Sequence, residues 1–167
     1  MTQSATAAQR LVQYWRSLGC ILAPGVSEQG LTDFENTHSV RLPADLREYF
    51  TLCNGLEFGA AEKWNHGWLE MIAFWPLSEV TSLDPHDMLP KQVGSPSSYF
   101  MFADFLIHSH VYAIRLTTDP NAPCPVIFYG DMPYVYKLGD SFSDFTTLYL
   151  NNPDHVLSPP ESLYFRM

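Results

Sequence analysis

Cysteine and positive charge are both scarce in this chain. Its three cysteines, Cys20, Cys53 and Cys124, form no CxxC pair, and an odd count does not make a disulfide framework. Reduced thiols in a cytoplasmic protein are the simplest reading. Nine Lys and Arg stand against eighteen Asp and Glu, a net charge of −9. Such a surface repels phosphate backbones and anionic membranes, and no run of Lys or Arg offers a local exception. Nucleic-acid and membrane partners are therefore not expected, whereas a basic protein partner would be attracted and steered. Long hydrophobic runs are missing as well: the most apolar window, Phe105 to Ile114, is too short to span a bilayer and carries His108 and His110. The first residues, Met1 to Ala8, show no basic region followed by an apolar core, so no secretory signal is expected.

Catalytic signatures are absent too. There is no GxSxG elbow, no HExxH pair, no P-loop and no GxGxxG, so neither a cofactor nor a nucleotide is expected. What the chain does have is apolar mass. Hydrophobic residues make up 46% and aromatics 14%, with 11 Phe, 9 Tyr and 4 Trp, enough for a core without disulfides or metals as staples. Thirteen prolines and nine glycines call for many turns and argue against a plain helical bundle. A length of 167 residues fits a single domain spanning 1–167.

Ser4 is placed to cap a first helix over 5–18, with Ala7, Leu11, Tyr14, Trp15 and Leu18 on one face and Gly19 ending it. Pro24-Gly25 marks a turn, and Ser27 caps a short second helix carrying Leu31, Phe34 and Glu35. In a third helix Pro43 suits the first turn and Asp45 the positive end of the dipole; Leu46, Tyr49, Phe50 and Cys53 line one face, and Asn54-Gly55 supplies a left-handed stop. From Leu56 the period changes: Trp68 to Phe74 alternates as a strand, after a polar loop over 59–67 that holds Trp64. Thr81 to Ser98 is rich in Pro, Ser, Asp and Gly and reads as a long mobile loop. Tyr99–Phe102, Val111–Leu116, Val126–Tyr129 and Tyr134–Lys137 read as strands with short links, which favours an antiparallel meander. Ser141 and Asp144 form a variant capping box for a last helix with Phe142, Phe145, Leu148 and Tyr149 on its apolar face; Asn151-Asn152-Pro153 stops it. The tail 154–167 is expected to be loosely attached. The fold class is α+β.

The ordered series Phe34-Glu35, Leu42-Pro43 with Leu46, Tyr49 and Phe50, Asn54-Gly55, Phe74 to Val80, Phe102-Ala103-Asp104, Tyr112-Ala113-Ile114 and Ser141-Phe142 before Phe145 resembles the SUKH superfamily over about residues 27–152. That superfamily includes fungal cell-wall assembly regulators and many bacterial immunity proteins. The resemblance implies a curved, mostly antiparallel sheet with helices packed on it, and a protein that binds rather than catalyses. Its bacterial members are largely inferred to neutralise toxins of contact-dependent or secreted systems, a toxin–antitoxin-like role. The segment 83–98 and the tail after Pro153 fall outside the motif.

Individual residues carry competing readings. Glu35 and Asp104 are read as mainly structural, the first accepting backbone hydrogen bonds and the second capping a turn. His108 and His110, two apart, would share a face of a strand, but no third ligand has diagnostic spacing and no metal is expected. Asp84, His86 and Asp87 read as a solvated polar loop rather than a metal site. Cys53 reads as inert core, and Cys124, between Pro123 and Pro125, as exposed but without an activating histidine. Trp64 either anchors a partner or folds back beside Trp68. The favoured function is a non-catalytic cytoplasmic immunity protein that blocks the active site of a basic toxin domain. Trp64 would be the anchor, Glu57, Glu62, Asp84 and Asp87 would surround it with charge, and Tyr134 would face outward toward the partner. The alternatives are a regulatory or scaffold protein with an endogenous partner, and a small hydrolase using Cys124 or the Asp84/His86 cluster.

Overall fold

The computed structural model describes residues 4–56, 71–87, 89–106, 108–130 and 135–163. Three helices come first: α1 (Ala7–Ser17), α2 (Glu28–His38) and α3 (Ala44–Leu52). Six strands follow, β1 (Ile72–Phe74), β2 (Thr81–Ser82), β3 (Tyr99–Phe105), β4 (His110–Arg115), β5 (Val126–Tyr129) and β6 (Val135–Gly139), and then α4 (Phe142–Asn151) and α5 (Pro153–Leu157). Among the described residues every pairing is antiparallel, in the order β1-β3-β4-β5-β6, and β2 shares with β1 the same edge of β3. The fold is α+β, as the periodicity and the resemblance both imply.

Helix starts follow local chemistry. Thr6, not Ser4, caps α1: its hydroxyl accepts the Gln9 N–H while the Gln9 side chain accepts the Thr6 N–H, a complete capping box. Ser27 caps α2 as expected, accepting the Gly30 N–H at 3.2 Å. Pro43 sits one position before α3 rather than inside its first turn. Cys53 ends that helix in extended backbone, and Gly55 alone takes the left-handed conformation, φ +93°. At α4 the Ser141 hydroxyl accepts the Asp144 N–H at 3.0 Å; the return bond comes from the Asp140 N–H, one residue earlier than in a regular box.

The sheet is covered on both faces. Helix-side packing gathers Trp15, Leu31, Tyr49, Phe50, Phe74, Phe102, Tyr112, Phe142, Phe145 and Tyr149, and Trp15 stands edge-on to Phe74 with centroids 4.8 Å apart. A second cluster of Leu83, Val93, Tyr99, Val111, Ala113, Ile127 and Val135 lies on the other face. Strand β4 alternates cleanly between them, Tyr112 and Ile114 to the helices, Val111 and Ala113 to the second cluster. In β3 the consecutive Phe102 and Ala103 both enter the helix-side core, which the register shift between Met101 and Ala103 permits. That shift and the one between Val126 and Ile127 are the irregularities that bend such a sheet.

Two expectations require correction. Segment 81–98 is pinned: Leu83 and Val93 are buried in the second cluster, and the Tyr99 hydroxyl donates to the Val93 carbonyl at 3.1 Å. Polar composition hides these two apolar anchors. Of the tail 154–167, the stretch 154–157 is anchored rather than loose, because Val156 is fully buried and its carbonyl accepts the Tyr112 hydroxyl at 3.2 Å; residues 164–167 lie outside the described residues. A lone Val156-Leu157 pair between Asp154-His155 and Ser158-Pro159-Pro160 is too sparse to show as a pattern.

Candidate functional site

Two glycines shape a groove between the segment 20–26 and the end of β1. Gly25 lets the segment 20–26 lie against the end of α3; a Cβ there would sit 1.8 Å from the Thr51 carbonyl oxygen. The Val26 N–H donates to Phe50 O at 2.7 Å and the Asn54 N–H to Ala23 O at 3.4 Å, which fixes Ile21–Pro24 as one wall. Gly55, in its left-handed conformation, lets Leu56 bridge Phe74 in both directions, N···O 2.8 and 2.9 Å. The Asn54 side-chain oxygen accepts the Leu77 N–H at 2.8 Å and holds the Pro76–Glu79 turn. Between these walls lies a groove of about 880 Å³, lined by Leu22, Leu56, Phe74, Trp75 and Pro76 among others, with Ile21 and Glu79 among its lining residues.

A polar clasp contributes further lining. Asp104 on β3 is only 5% exposed, and its carboxylate accepts the Trp75 indole N–H at 3.1 Å and the His108 backbone N–H at 2.6 Å. Both bonds satisfy a charge that would otherwise be costly to bury. The His108 imidazole stands 3.8 Å from the same carboxylate and edge-on to the Trp75 ring, centroids 5.2 Å apart. His108 and Leu106 both adopt positive φ, 66° and 49°, in the turn that joins β3 to β4. Non-glycine residues adopt that region at some cost, and here the Asp104 bond holds His108 in it. Asp104 thus serves the turn, as expected, and ties it to Trp75.

A second buried carboxylate organises the helical layer. Glu35 accepts the Leu42 N–H at 2.9 Å, Arg47 Nη1 at 3.0 Å and Arg41 Nη1 at 3.2 Å, while Arg47 also reaches Glu28 at 2.6 Å. The expected backbone bond is present. The two arginines complete the neutralisation.

The other candidates scatter. Asp84 and Asp87 lie after β2, where Asp87 accepts the Asp84 N–H at 3.0 Å and the Tyr129 hydroxyl at 3.1 Å, and Asp84 accepts the His86 N–H at 2.8 Å. Burial and the neighbouring Asp87 charge push the Tyr129 phenol up to about 12. Glu57, Glu62, Trp64 and Tyr134 lie outside the described residues, as does Trp68. His108 and His110 do not share a strand face: His108 is in the turn, while His110 opens β4 and stacks on Phe105. Among the described residues no three His, Cys, Asp or Glu come together as a metal-ligand set. Burial pushes the Cys53 and Cys124 thiols up, the reverse of what activates a nucleophile, and Cys124 is half-buried with its thiol donating to Ala122 O.

Sequence reasoning passed over Ile21 and Glu79 as site residues and treated Trp75 only as part of a motif. The turn signal at Pro24-Gly25 and the run Trp75-Pro76-Leu77-Ser78-Glu79 were the available signs, but neither says that the two segments meet. Among the described residues no helix is long and apolar enough to cross a membrane. A search of curated proteins returned no match. The model of one protein family does match, over residues 25–147, from the glycine that seats the groove wall to within α4. That span is most of the chain, and it contains Asn54, Gly55, Trp75, Glu79, Asp104 and His108: the chain belongs to the SMI1 / KNR4 family (SUKH-1).

Proposed function

We propose that this protein is a non-catalytic, cytoplasmic immunity protein that binds a basic toxin domain and blocks its active site. Membership of the SUKH-1 family, whose proteins are generally immunity or regulatory proteins, is the observation that carries this reading. It supports a role exerted through protein–protein contact. The net charge of −9 adds a physical reason for a cationic target, because opposite fields speed encounter and raise the on-rate. A standard interface of about 1,600 Å² would be enough to cover a catalytic cleft. Trp64, Glu57, Glu62, Asp84, Asp87 and Tyr134 remain proposed contacts, as does a single domain spanning the whole chain.

The regulatory reading, in which the partner is an endogenous protein, has the same family as its support and predicts no protection against any toxin. Affinity capture with the tagged full chain separates the two, when any toxin domain encoded beside its gene is supplied in inactive form. Stoichiometric, salt-sensitive retention of the toxin domain supports immunity. Retention of a housekeeping protein, with the toxin domain left in the flow-through, overturns it in favour of regulation.

A further inference from the structure

We propose that the groove between Ile21–Pro24 and Trp75–His108 is a docking site for an extended protein segment carrying an apolar side chain flanked by lysine or arginine. The inference rests on the protein-binding reading above and names the face and the chemistry of its partner.

Apolar exposure marks the place. Ile21, in the groove wall, is 85% exposed; the other exposed large hydrophobic of the described residues, Leu106 at 37%, lies in the His108 turn but does not line the groove. An aliphatic side chain left this open beside an apolar groove offers burial to a partner. A volume of about 880 Å³ exceeds what one side chain fills and suits a short stretch of chain.

Charge selects the occupant. The titratable groups among the described residues lining the groove are Glu79, Asp104 and His108, with no Lys or Arg. Asp104 is committed to Trp75 and His108, which leaves Glu79, exposed and outside every ion pair of the described residues, to meet an incoming cation. Asn54 also lines a neighbouring cleft of about 350 Å³, whose described lining again has no Lys or Arg and holds Asp33 and His38. A segment leaving the groove past Asn54 therefore meets a second carboxylate. A second copy of this chain, itself at −9, is a poor occupant of such a surface. The wall Ile21–Pro24 lies just before the family match, which begins at residue 25.

The test is a titration of the isotopically labelled full chain, followed by NMR, with three short peptides: Leu flanked by Lys, Leu flanked by Glu, and Ser flanked by Lys. The first peptide is expected to shift the Trp75 indole N–H and the amides of Gly55, Glu79 and His108 saturably, the other two not. Ile21→Lys, a change on an exposed side chain that leaves the fold intact, is expected to weaken that binding at least about tenfold, and Glu161→Gln, outside the groove, to leave it unchanged. No saturable shift at Trp75, equal shifts with the Glu or Ser peptide, or shifts centred on Asp84–Asp87 would each overturn the proposal. The peptides are not toxins, so failure of the immunity reading leaves a positive result standing. A chain that inhibits its toxin but shows no shift at Trp75 overturns the groove alone.

Discussion

The Asp104 carboxylate accepts the Trp75 indole N–H at 3.1 Å, and the same carboxylate holds the His108 backbone N–H at 2.6 Å. One buried acid thus joins a side chain of the β1 edge to the β3–β4 turn, and both become lining of one groove. Asp104→Ala strands two donors, and at about 1–3 kcal/mol each the expected loss is roughly 2–6 kcal/mol, read by urea denaturation. Asp104→Asn keeps an acceptor and is expected to lose less. Equal stability of wild type and Asp104→Ala would show that the clasp is dispensable.

Glu35 gives a parallel case in the helical layer. Its carboxylate, 6% exposed, satisfies the Leu42 N–H and faces Arg41 and Arg47. Glu35→Ala is expected to cost about 2–4 kcal/mol, since a buried donor and a partly buried guanidinium lose their acceptor. Glu35→Gln retains the Leu42 bond and is expected to recover part of that. Glu28→Gln, at the exposed end of the Arg47 pair, is expected to change stability by less than about 1 kcal/mol.

Gly25→Ala tests how the groove wall is seated. The new methyl would lie 1.8 Å from Thr51 O, so the segment must move off α3. A loss of about 1–3 kcal/mol is expected, with the Ile21 and Ala23 amide resonances displaced. A stable variant with an unaltered spectrum in 20–26 would contradict the packing.

Alkaline pH should unfold the protein cooperatively. Burial raises the phenols of Tyr49, Tyr112 and Tyr149 well above their ordinary value of about 10, and Tyr129 is raised to about 12. A raised folded value favours the protonated phenol in the native state. Its stabilising contribution is fully present below about pH 10 and declines as pH rises through the folded values. Phenolate absorbance is therefore expected to appear in a steep step coincident with loss of ellipticity. A gradual ionisation of all tyrosines near pH 10 with the fold intact would contradict the burial.

Much of this architecture was legible in the residues, and the reasons for the rest are physical. Val126–Tyr129 matches its strand and Ser27 and Ser141 cap their helices because alternation and capping are local signals. Val93 and Val156 escaped because one buried Val in a short stretch of prolines and polar residues leaves no period to detect. The arginines on Glu35 and the indole on Asp104 come from 6 to 12 and from 29 positions away, so no spacing rule names them. The groove was hidden for the same reason: Ile21, Trp75 and His108 converge only when Gly25, Gly55 and Asn54 bring their segments together.

The most direct measurement of function is the catalytic activity of any toxin domain encoded beside the gene, titrated with the full chain at low and high salt. Immunity by occlusion predicts that activity falls to background at equimolar chain, and that inhibition weakens as salt screens the attraction between an acidic inhibitor and a basic target. Toxin activity unaffected by excess chain at low salt would contradict it.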